Sequence, residues 1–133
     1  MPQMTPLVLK DRGDPIATHT FIPKKQAADG TVTYVESTGI PVGDRRIAIG
    51  QTRSAQGRVK ATLKLTIPVV QDAVVNGISS PKVVRTSYAD VTFNFDPTST
   101  ARERDDLIEL VYGLCDRTNE QTMLALVDLQ GLW

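Results

Sequence analysis

Residues 82–96, KVVRTSYADVTFNFD, decide how the chain is read. From Arg85 onward the stretch alternates: Thr86, Tyr88, Asp90, Thr92 and Asn94 share one parity, and Ser87, Ala89, Val91, Phe93 and Phe95 the other. Successive side chains of a strand point to opposite faces, so this is a long strand with one polar and one apolar face. The polar face carries a phenol ring, a carboxylate and an amide, groups suited to reading a ligand.

The neighbouring segments repeat the pattern. In 58–67, RVKATLKLTI, Val59, Ala61, Leu63, Leu65 and Ile67 alternate with Arg58, Lys60, Thr62, Lys64 and Thr66. In 45–53, RRIAIGQTR, Ile47, Ile49 and Gln51 oppose Arg46, Ala48, Gly50 and Thr52. Two basic strands joined by the Ser54–Gly57 turn, then the 82–96 strand, predict an antiparallel meander. Upstream, 5–11 and 17–22 read as a hairpin across the turn cluster Arg12-Gly13-Asp14-Pro15, with Pro23 closing its second strand. Asp29-Gly30 is a turn before a short strand at 31–36. The segment 68–81, PVVQDAVVNGISSP, has proline at both ends and a turn signal at Asn76-Gly77, and reads as a long, unusually apolar loop.

Beyond Asp96 the period changes. Thr100 and Glu103 fit a capping box. Leu107, Leu110, Val111 and Leu114 then recur at helical spacing, and a second helix is expected from about Thr118 or Asn119 to Gly131. Its apolar residues (Met123, Leu124, Leu126, Val127, Leu129) cover more than a narrow stripe, so more than one side must be buried. The fold class is α+β: an antiparallel sheet with two C-terminal helices on one face, within a single domain over 1–133. The other sheet face has no element left to cover it and stays polar.

Composition narrows the function. The chain has 133 residues, one cysteine and one histidine, and only 5% aromatics. A lone Cys115 excludes an internal disulfide or a multi-cysteine metal cage, and a lone His19 excludes a histidine cluster, so neither a metal nor a cofactor is expected. An enzyme would need a nucleophile with its base, a metal cluster or a phosphate loop, and none is present. His19 is expected to point from a strand as a surface or hydrogen-bonded residue rather than to serve catalysis or a metal. Arg12-Gly13-Asp14 matches an adhesion tripeptide but is better explained as a turn. No segment reads as a membrane span or export signal, which predicts a soluble protein.

Charge is uneven although the net is zero. Residues 45–85 hold eight basic residues against one acidic, a balance of +7, and residues 96–133 hold three against eight, or −5. A basic sheet face with threonines and one exposed tyrosine suits RNA: lysines take phosphates and a splayed base stacks on the ring. The candidate residues are Arg46, Lys60, Thr62, Lys64, Tyr88 and Asp90. Asp90 repels phosphate and is better matched to donors on a base edge.

These segments together resemble the coat proteins of the small single-stranded RNA bacteriophages, the leviviruses. The resemblance is carried by 7–12 (LVLKDR), 19–23 (HTFIP), 35–41 (VESTGIP), 63–70 (LKLTIPVV), 76–78 (NGI), 84–88 (VRTSY) and 128–131 (DLQG), in order along nearly the whole chain. It implies an N-terminal hairpin, a five-stranded antiparallel sheet and two helices interlocked with those of a second subunit. It further implies a T=3 icosahedral shell assembled in the bacterial cytoplasm around genomic RNA, with the 68–81 loop at the symmetry axes. Binding of an RNA hairpin that represses replicase translation also follows, with Tyr88 stacking on a loop base, Lys60 and Lys64 on phosphates, and Thr62 lining an adenine pocket. Relatives carry hydroxyl side chains where this chain has Ala48 and Gly50, which puts hairpin specificity in doubt. The loop lacks the cysteines that cross-link some members. A non-assembling dimeric RNA-binding regulator is the alternative reading.

Overall fold

The computed structural model describes residues 3–11, 15–37, 39 and 41–132. The turn reading at Arg12-Gly13-Asp14 therefore falls outside the described residues. The chain forms two compact units, Met1–Asn94 and Phe95–Trp133.

The first unit is one antiparallel sheet of six strands in sequence order: β1 (Leu7–Lys10), β2 (Thr18–Gln26), β3 (Val32–Glu36), β4 (Arg45–Arg53), β5 (Val59–Val75) and β6 (Ile78–Phe95). The expected hairpin is not separate from the sheet. Its second strand, β2, pairs with β1 on one side and β3 on the other, giving six strands where the family layout implied a hairpin before five. Pro23 does not end β2 either. It sits at a register shift between Pro23 and Lys25, where an irregular ladder tolerates the missing N–H.

The largest departure from expectation is 68–81, which is strand rather than loop. Only Asn76 and Gly77 turn, with φ of 53° and 78°. Two successive left-handed residues are what a tight two-residue hairpin requires, and Asn-Gly is the pair that adopts them most readily. The prolines survive because of where they fall. Pro68 lies past the end of the β4–β5 ladder, whose final pair is Arg46 with Thr66, and Pro81 lies in β6, the last strand in the sheet order.

The core of this unit is one row across the strands. Phe21 pairs with Leu7, Tyr34 with Pro23 and Ile47, and Ile47 with Leu65. Phe21, Tyr34 and Ile47 are buried, with Leu7, Val32, Ile49 and Leu65 packed against them. Because side chains alternate, this fixes the opposite parity as the other face of the sheet.

In the second unit, α1 (Ala101–Leu114) starts with the expected capping box. The Glu103 N–H donates to Thr100 Oγ1 and the Thr100 N–H to the Glu103 carboxylate, each at 3.2 Å. The second helix, α2 (Glu120–Leu126), is shorter than the sequence predicts. The chain leaves the helix well before Gly131, and Leu129 takes the left-handed conformation (φ 56°). Neither helix has a buried residue.

Candidate nucleic-acid interface

The β4–β5 ladder builds the site. Its pairs Arg46–Thr66, Ala48–Lys64, Gly50–Thr62 and Thr52–Lys60 share one face, opposite the row holding Ile47, Ile49 and Leu65. β3 adds Thr33 beside Ala48 and Val35 beside Arg46. Four of the six expected residues (Arg46, Lys60, Thr62 and Lys64) therefore come together on one surface. Arg46, Lys60 and Lys64 are exposed and Thr62 is half-buried. None of the three cations is held in an ion pair among the described residues, so their charge is available to a polyanion. Lys60 and Lys64 lie four residues apart on β5, about 13 Å along the strand.

Tyr88 and Asp90 lie on β6, next to β5 in the sheet order. Both are exposed, Tyr88 to 73%. They share the parity of exposed Thr92 and Asn94, whereas Val91, Phe93 and Phe95 are half-buried. A phenol ring this open has a free face for stacking.

Gly50 has a structural reason that composition did not reveal. A Cβ built on it would lie 2.7 Å from Thr31 Oγ1, closer than real atoms approach. Thr31 is held there by the turn before β3. Its N–H donates to Asp29 Oδ1 at 3.0 Å, and the Thr31 backbone and hydroxyl together keep the Asp29 carboxyl below its usual range. On the other side Thr62 Oγ1 donates to the Gly50 carbonyl at 3.5 Å. Two threonine hydroxyls thus flank the residue that lacks a side chain, and Thr33 stands opposite Ala48. The hydroxyls missing from β4 are supplied by its neighbours. Thr31 went unnoticed in the sequence because only the missing Cβ, seen in three dimensions, gives it a role.

The arrangement is a cationic strand pair with hydroxyls between the charges and an open ring on the adjacent strand. A family model described as levivirus coat protein matches residues 2–133. The chain belongs to the levivirus coat protein family. It is 42% identical to the capsid protein of Pseudomonas phage PRR1, over 98% of this chain and 99% of that one. Its fold matches the virus-like particle of bacteriophage ESE058 with a TM-score of 0.86 at 20% identity, over 99% and 100% of the two chains. It also matches an unassembled virus coat protein dimer, titled a bacteriophage RNA-binding dimer, with a TM-score of 0.58 at 17% identity over 96% of each chain. This coat protein is a structural, shell-forming subunit of the virion, not an enzyme.

Proposed function

We propose that this coat protein forms dimers through its C-terminal helices, assembles in the bacterial cytoplasm into a T=3 shell, and binds RNA on the polar face of β4, β5 and β6. The RNA is both the packaged genome and a hairpin whose binding represses replicase translation. The observation that carries this reading is the β4–β5 register, which gathers Arg46, Lys60, Thr62 and Lys64 on the face away from Phe21, Tyr34 and Ile47.

The roles follow from chemistry. Lys60, Lys64 and Arg46 neutralise phosphates without reading sequence. Tyr88 stacks on an unpaired base, and Asp90 accepts from a base edge that offers donors. Thr62 and Thr31 flank Gly50 and offer hydroxyls that choose among base edges. The dimer is supported by the absence of buried residues in α1 and α2 and by exposed Leu110, Leu114 and Leu126, apolar surface that a second subunit would cover. The exposed tip residues Val74, Val75 and Ile78 suit contacts between dimers.

Substituting Tyr88→Ala tests the reading. Hairpin binding, followed by filter retention, weakens by about 1–3 kcal/mol, the usual worth of one stacked base, while electron microscopy still shows closed particles. Unchanged hairpin affinity removes Tyr88 from the interface.

A further inference from the structure

The other face of the sheet, with Phe21 and Leu65, holds a charged cluster away from the basic β4–β5 surface. His19, in β2, is the chain's single histidine. Its Nε2 lies 2.7 Å from Asp11 Oδ2, just past the end of β1. Its Nδ1 lies 2.9 Å from Glu36 Oε2 at the end of β3 and 3.0 Å from Arg45 Nη1 at the start of β4. Arg45 Nη1 also donates to Glu36 Oε1 at 2.7 Å. Asp11 is fixed in turn, because its Oδ1 accepts from the Ala17 N–H at 2.9 Å. One imidazole thus joins the ends of four strands. Lys10 of β1 lines the same cavity of about 320 Å³ as Asp11, His19 and Arg45.

We propose that His19 is a proton-operated clasp that holds the N-terminal strand β1 to the sheet. β1 has only four residues, is first in the strand order and pairs with β2 alone. Protonated, the ring donates from Nε2 to Asp11 and from Nδ1 to Glu36. Deprotonated at Nδ1, the same atom accepts from Arg45 Nη1, which already stands within reach, and the pull of a cation on Asp11 is gone. The Nε2–H bond to Asp11 persists in both states but loses its charge assistance. The bare Nδ1 then faces the Glu36 carboxylate, so the link from β1 through the ring to β3 weakens. Release of β1 turns β2 into an unpaired edge and strips Leu7 from buried Phe21, exposing backbone and apolar surface to other chains.

The pH direction is fixed by the groups involved. The hydrogen bond to Asp11, then that to Glu36, raises the His19 pKa above its ordinary 6.5, although burial and Arg45 oppose the shift. A base raised on folding contributes stability that is complete below its unfolded value and disappears as pH rises through its folded value. Glu36 sets the acid limit. Burial pushes its carboxyl up, but hydrogen bonds from Arg45 and His19 outweigh this and hold it below 4.5. Its contribution is complete above 4.5 and disappears as pH falls through the folded value. The clasp is therefore strongest between 4.5 and 6.5 and opens on the alkaline side.

Hydrogen exchange on the full-length wild-type dimer, corrected for the intrinsic pH dependence of exchange, tests this. Protection of the β1 amides falls by up to roughly tenfold per pH unit between 6.5 and the value at which His19 itself titrates by NMR, then levels off. The amides of β4 serve as the unaffected reference. In His19→Gln the fall disappears, and in Asp11→Asn it shrinks. Flat β1 protection in the wild type overturns the clasp, as does a fall that persists in His19→Gln. The wild-type reading needs no substitution, so a poorly folding variant does not weaken the test.

Discussion

The centre of the sheet and the C-terminal helices are written in the same aliphatic residues, yet they end in opposite conditions. Phe21, Tyr34 and Ile47 form a buried row with partners from β1 to β5. In α1 and α2 no residue is buried, and Leu110 and Tyr112 are 68% and 72% exposed. Apolar periodicity says which face must be covered; it does not say by what. In the sheet the cover lies within the chain. In the helices no residue is buried, and the proposed second subunit would supply the cover.

That contrast can be broken at three points. Ile47→Ala, in the buried row, should cost about 2–5 kcal/mol in chemical denaturation at any protein concentration. A cost under about 1 kcal/mol would mean the row does not hold the sheet together. Leu110→Ala, at an exposed site, should still cost about 2 kcal/mol once a second subunit covers it. The loss should appear as dimer dissociation on dilution; a cost within about 0.5 kcal/mol is that of a surface site and would return this face to solvent. Gly50→Ala sharpens the contrast within the sheet itself. It should destabilise by roughly 1 kcal/mol or more through overpacking on Thr31. Thr31→Ala in the same chain should restore most of the loss, a coupling visible in a double-mutant cycle. No coupling would mean the Thr31 hydroxyl does not occupy the space over Gly50.

What was legible in the sequence follows the same division. β4 and β5 could be read residue by residue because one face is buried, which forces strict alternation, and this also sorted Arg46, Lys60, Thr62 and Lys64 onto one surface. The parity of Val91, Phe93 and Phe95 against Tyr88 and Asp90 was legible for the same reason. The 68–81 segment was not. Its strands beyond β4 are largely exposed, nothing imposes a binary pattern, and the two prolines signalled a loop although Pro68 lies past the β4–β5 ladder and Pro81 on the last strand of the sheet order. The end of α2 was misplaced because Gly131 looked like the stop, whereas Leu129 takes the left-handed conformation. His19 was expected to be a surface or hydrogen-bonded residue, and it is hydrogen-bonded, but Asp11, Glu36 and Arg45 lie 8, 17 and 26 positions away, at spacings that carry no local signal.

The central claim is that the β4–β5 face carries the RNA. The salt dependence of RNA binding measures it most directly, because each neutralised phosphate adds to the slope of log affinity against log salt. With Lys60→Gln and Lys64→Gln together, the slope should fall by roughly 1.4 for single-stranded loop contacts, about 0.7 for each lysine. An unchanged slope in a folded dimer would contradict the account and put the phosphates on another surface.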